Sequence, residues 1–236
     1  MRLLFSISFL FIIFSCKQQV PKGILSYFPA DSVFEKGFAA KYYFRYEPLN
    51  PYEEAKVRIG YSVYKKSNDQ HFIIRSYDAG FEYTGSQYYR IEGQNLFLDS
   101  SFYLSGRDTL KAQITEPWTK SWQKDKHPLY KEKYSYQNVD YLYEIAQVEI
   151  GDTLINKQKG KVFLFHRRYR NIAGDSLVDS NRSTEIYLEN IGFFSSSETS
   201  ENGSYSSELI EQMPIDSFLL RAHHGQSLAR PELKED

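Results

Sequence analysis

The chain is short of cysteine, tryptophan and net charge. A single cysteine among 236 residues excludes an intrachain disulfide and a cysteine-rich zinc site. With 29 basic against 30 acidic side chains, the net charge of −1 gives no field for nucleic acid or an acidic surface. No apolar run reaches the roughly 20 residues of a membrane-spanning helix. A Gly-rich phosphate loop, a Gly-x-Ser-x-Gly nucleophile elbow and a His-Glu-x-x-His helix are all missing, so neither a cofactor nor a metal is expected. What is abundant is aromatic: 20 Tyr and 17 Phe against 2 Trp. Tyr and Phe suit strands.

Residues 1–15 read MRLLFSISFLFIIFS. Arg2 and the terminal amine make a positive start, and residues 3–14 are apolar except for Ser6 and Ser8. That is the length of a secretory signal core. Cys16 follows at once. Ile13-Phe14-Ser15-Cys16 resembles a lipobox, the processing site of bacterial lipoproteins, with a branched apolar residue three before the cysteine and a small one directly before it. The resemblance implies cleavage that leaves Cys16 first, a diacylglycerol on its thiol, and a membrane as partner through that anchor. Two or three acyl chains at about 0.8 kcal/mol per buried methylene hold a domain on a bilayer nearly permanently. Lys17 in place of Asp, with no acidic run after it, implies by the same analogy the periplasmic face of an outer membrane. A plain signal peptide cleaved elsewhere, or an uncleaved anchor, is the bland alternative.

Residues 16–26 read as a tether and residues 27–221 as one β domain. Period-2 patterning predicts strands over 38–46, 56–64, 72–77, 81–84, 87–91 and 95–104, with turn signals between them. Gly106-Arg107-Asp108, Gly151-Asp152-Thr153 and Gly174-Asp175-Ser176 each read as a hairpin turn, and Asn202-Gly203 is the strongest hairpin signal. Short helical pieces are expected at 30–36, 51–55 and 117–124. The fold class is all-β, an antiparallel meander of about 11–12 strands in a highly curved sheet or incomplete barrel. A two-sheet sandwich is the alternative. Residues 116–130 interrupt the meander as a crossover, a flap or a subdomain boundary, and residues 222–236 read as a polar tail.

Candidate site residues are few. Trp118 and Trp122, four apart, share a face on a helical turn and would clamp a sugar ring or acyl chain, or else pin the segment to the sheet. Tyr134 and Tyr136, with Tyr141 and Tyr143 after them, offer stacking surfaces or ordinary cross-strand pairs. In residues 161–170 an apolar strand turns basic. His166, Arg168 and Arg170 share one face with Leu164, while Arg167 shares the other with Phe165 and Tyr169. The first set reads as an anion or headgroup rim, or as a strand leaving the core with its arginines paired. No carboxylate pair stands out as a catalytic dyad.

Tyr27-Phe28-Pro29, then Gly37 and the aromatic strand after it, with the element at 185–194 (EIYLENIGFF), resemble uncharacterised β-rich envelope lipoproteins of the Bacteroidetes type. The resemblance implies an envelope lipoprotein and brings no catalytic residue. The expected function is a non-enzymatic periplasmic scaffold, assembly accessory or apolar-ligand carrier, whose partners are envelope proteins or that ligand. Glycan binding through stacked Trp and Tyr is the rival, and a hydrolase of dispersed Asp, Glu and His a third. A large hollow favours the carrier; a filled interior favours the scaffold.

Overall fold

The computed structural model describes residues 23–224, except 106, 107, 117, 137, 138 and 175. A 3-10 turn, Ile24–Tyr27, and helix α1, Asp31–Lys36, precede the sheet. The strands are β1 (Phe38–Pro48), β2 (Lys56–Lys66), β3 (His71–Asp78), β4 (Tyr83–Glu92), β5 (Asn95–Ser105), β6 (Asp108–Glu116) and β7 (Trp118–Ser121). They continue as β8 (Leu129–Tyr136), β9 (Val139–Ile155), β10 (Gln158–Asn171), β11 (Ser176–Leu188), β12 (Gly192–Ser200) and β13 (Gly203–Pro214). Helix α2 is Ile215–His224.

All thirteen strands of the described residues belong to one sheet, ordered β4-β3-β2-β1-β13-β12-β11-β10-β9-β8-β6-β5-β7. Strand β4 also pairs with β5, so the ladder comes round on itself into a nearly closed barrel. Closure is how a long antiparallel meander disposes of its unpaired edges. The first and last strands meet in register from Phe38↔Pro214 to Pro48↔Gly203. The thinnest seam is β6–β8, held at Gln113↔Lys133, Ile114↔Glu132 and Glu116↔Lys131.

One end of the barrel is stoppered from the sequence just before β1. Ile24, Tyr27, Phe28 and Phe34 are buried in the main core cluster. Phe28 stacks on Phe34 at 5.1 Å, and both rings meet Phe72 of β3, at 5.3 and 5.4 Å. Lys66, its side chain almost wholly buried, lies 3.5 Å from Asp31 of α1 and 3.0 Å from Asp69. It ties the stopper to the β2–β3 turn. A second core lies outside the wall, where Phe218 of α2 packs on Tyr61, Tyr77 and Phe81 at 5.5, 5.2 and 5.6 Å. Arg221 pairs with Glu211 at 2.8 Å and clamps the helix to β13.

The meander and the turns at Asn202-Gly203 and around residue 174 match the reading of the sequence. Four points differ. The expected strand pair 81–84 and 87–91 is the single strand β4, because Gly85 is a point of close approach, not a turn. A Cβ there would lie 2.6 Å from the Phe102 carbonyl oxygen of β5. Gly151-Asp152-Thr153 lies inside β9, and the chain reverses instead at Asn156-Lys157, both at positive φ. Residues 117–124 hold strand β7 instead of a helix, and 51–55 are turn and coil. The single curved sheet of the described residues is the leading reading of the fold class, over the sandwich alternative. Residues 222–224, expected to open the tail, complete α2, with Ala222 fully buried.

Candidate functional site

Because side chains alternate along a strand, each strand sends one set into the lumen and one outward. The inward set nearest the stopper is aromatic. Trp122 packs against Phe163, Tyr187 and Tyr27 at 4.6, 5.6 and 5.8 Å. Phe38 stacks on Tyr64 at 4.7 Å and Phe72 on Tyr89 at 5.1 Å. Many of these rings are phenols, and their hydroxyls find partners inside the barrel. The Tyr42 hydroxyl lies 3.2 Å from that of Tyr64 and donates to the Phe193 carbonyl at 3.2 Å. Gln87 accepts from Tyr89 at 3.3 Å and donates to Tyr103 at 3.0 Å. Burial pushes the Tyr64 phenol up to about 12.

A charged girdle stands on this floor. Lys120 of β7 reaches across to β11, where it pairs with Glu185 and donates to the Tyr187 hydroxyl at 2.5 Å. Its ammonium lies 4.9 Å from the centre of the Tyr187 ring. Arg167 of β10 bridges Glu185 and Glu198, each at 2.8 Å, and Asn181 donates to Glu198 at 2.8 Å. Burial pushes the Glu185 carboxyl up, but Lys120 and Arg167 more than offset it and hold the group below the usual carboxylate range. Burial pulls the Lys120 ammonium down more than Glu185 restores it. A separate carboxylate, Glu132 of β8, accepts from Tyr130 and, at 3.3 Å, from Ser101. Here burial prevails and its pKa is raised.

Local structure explains how Lys120 gets there. Strand β7 pairs with β5 through Leu96↔Lys120 and Phe97↔Thr119, which turns Lys120 inward. At Ser121, the last residue of that ladder, the fully buried Gln147 of β9 accepts from the backbone N–H at 2.9 Å and donates to the carbonyl at 2.9 Å. The side-chain amide stands in for a ladder rung and satisfies backbone that would otherwise be buried unpaired.

The lumen stays hollow above the floor. A cavity of about 330 Å³ is lined by Tyr42, Tyr64, Phe72, Tyr89 and Tyr187, with Lys120 and Glu185 in its wall. It shares Phe44, Ser196 and Ser207 with a second cavity of about 750 Å³ toward the opposite end. That mouth is bordered by Tyr46 and Tyr205, stacked at 4.4 Å, and by Arg58, whose guanidinium sits 5.1 Å over the Phe44 ring. The inner cavity, rich in rings with a few fixed polar groups, fits the usual form of a small-molecule site, and the outer one, with Phe44, Tyr46 and Tyr205 among charged residues and serines, is its polar mouth.

The residues singled out in the sequence fall mainly elsewhere. Trp122, 8% exposed, belongs to the floor, so it offers no face to a sugar from solvent. Trp118 lies in β7 and Tyr134 and Tyr136 in β8, with Tyr134 opposite Tyr141; their side chains are outside the described set. Tyr141 and Tyr143 pack against Tyr169 at 5.5 and 5.8 Å. His166 and Arg168 are exposed on the outer face, and Arg170 there approaches Glu144 at 3.6 Å. The face division along β10 was legible, but its inward member Arg167 is the one at the site. Cys16 lies outside the described residues. Lys120, Glu185, Glu198 and Arg58 were missed, and the only signal was a charge at an inward strand position.

These features define a β-barrel with a stoppered end, an aromatic floor and a charged girdle. No family model and no curated protein matches the chain. Among solved structures it is similar to a LolA superfamily protein from Nitrosomonas europaea, over 78% of this chain and 93% of that one. The identity is 10% and the TM-score 0.29, and nothing about activity is carried across.

Proposed function

We propose that the barrel is a binding protein for an apolar or amphiphilic small molecule held in its lumen, carried on a bacterial envelope membrane by lipid on Cys16. The observation that supports the first part is the ring-lined cavity of about 330 Å³ running into the larger mouth cavity. A scaffold would need no hollow. The floor gives dispersion and area burial to an apolar body, while the girdle of paired charges keeps the wall polar enough to stay solvated when the ligand leaves. Placement at the outer membrane, facing the periplasm, rests on the N-terminal motif alone. Stacking of glycans has less support, since Trp122 is spent on the floor.

The test uses chain beginning at residue 17, purified without detergent. Organic extraction and mass spectrometry are expected to find a co-purified lipid, or else the neutral dye N-phenyl-1-naphthylamine is expected to bind saturably at one per chain. Ser196→Trp, which places a large ring where the two cavities join, is expected to weaken dye binding at least tenfold with the circular dichroism unchanged. Neither lipid nor saturable dye would defeat the reading.

A further inference from the structure

Building on that reading, we propose that the ligand is an anionic single-chain amphiphile whose head group is received by Arg58 at the barrel mouth. Phe44 and Arg58 face each other across β1 and β2. The ring of Phe44 lies against Gly60, where a Cβ would come within 3.0 Å of it, and the Arg58 guanidinium covers the ring at 5.1 Å. Glycine on one side and the cation on the other fix both groups. Stacking holds a planar guanidinium in place while leaving its N–H groups able to bind a carboxylate or phosphate.

The charge balance of the mouth points the same way. Among the described residues neither Arg58 nor Lys56, the two cations lining this cavity on β2, has a carboxylate within ion-pair distance. The third cation there, Arg45, is taken by Glu47 at 2.6 Å. Of the two carboxylates lining the cavity, Glu198 is held by Arg167 and Asn181, and Glu53 accepts from Asn50 at 3.1 Å. Asn50 is neutral and leaves the Glu53 charge in place, so the mouth carries two cations without an ion-pair partner against one such carboxylate, a net positive charge, with Arg58 over Phe44, which also lines the aromatic floor cavity. A head group on Arg58 lets a chain run past Phe44 toward Tyr42, Tyr64 and Tyr89.

The head chemistry is shared by fatty carboxylates and single-chain phosphates, and the experiment separates them. Palmitate, hexadecyl phosphate and hexadecanol are titrated against dye-loaded protein at 50 and 300 mM NaCl. Wild type is expected to bind the anions at least tenfold more tightly than the alcohol, with an advantage that shrinks at the higher salt. The tighter anion identifies the head. Arg58→Gln is expected to bring the anions to the alcohol's level and leave dye and alcohol within twofold, while Arg58→Lys restores part of the difference. Equal binding of the three ligands by wild type, or an Arg58→Gln loss common to all three, overturns the assignment of Arg58 while the lumen reading stands. Failure to take up dye or any of the three overturns both.

Discussion

Glu132 and Glu185 are both buried carboxylates of the barrel wall, and their surroundings drive them in opposite directions. Glu185 faces two cations and is held below its ordinary range. Its contribution to stability is present above its unfolded pKa and is lost as pH falls through the folded one. Glu132 faces only neutral donors and is raised by burial, so its contribution is present below the unfolded pKa and lost as pH rises through the folded value. Glu132→Gln keeps an acceptor for Tyr130 and Ser101 and removes the charge. Thermal melts from pH 4 to 8 are expected to show the variant gaining on wild type as pH rises; a constant difference would show that Glu132 is not shifted. Neither role was legible in the sequence. In residues 181–188 the apolar members Ile186 and Leu188 alternate with Glu185 and Tyr187, a pattern that shows two faces without saying which is enclosed. In a hollow barrel the polar set can be the inner one.

Among the elements, those announced by special turn residues were readable and those set by packing were not. Asn202-Gly203 marks its hairpin by residue type, although the two-residue loop is Glu201-Asn202 and Gly203 opens β13, where the Glu47 carbonyl leaves no room for a Cβ. Asn156-Lys157 makes the β9–β10 reversal with both residues at positive φ, and a lysine there carries no turn signal. The nearby Gly151-Asp152 drew the assignment five residues early. The stopper was half hidden: the helix at 31–36 was expected, but Ile24 looks like the end of a tether, and nothing in Tyr27-Phe28 says that they plug a lumen until the barrel supplies rings to bury them. Phe34→Ala removes a fully buried ring from it and is expected to cost about 3–5 kcal/mol in urea denaturation. Val33→Ala on the exposed side of the same helix should stay within roughly 0.5 kcal/mol. Equal midpoints for the two variants would mean that the stopper is not part of the cooperative unit.

For the molecule as a whole, strand number and order were nearly legible, since consecutive hairpins leave few topologies. Closure was not, because it depends on the twist that brings β4 onto β5 and on a three-rung seam between β6 and β8. The anchor is read from Cys16 alone. Feeding cells an alkyne fatty acid is expected to label wild-type protein and to leave Cys16→Ala unlabelled and released from the membrane pellet; label on the variant would refute the assignment. If the anchor holds, the stopper acquires a direction. The chain enters the barrel at its closed end, beginning with Ile24, and the seven residues after Cys16 reach about 25 Å at most. The barrel then stands on its own membrane like a cup on its base, rim turned outward. Cargo would be exchanged with whatever lies across the aqueous gap, and not with the bilayer that carries it.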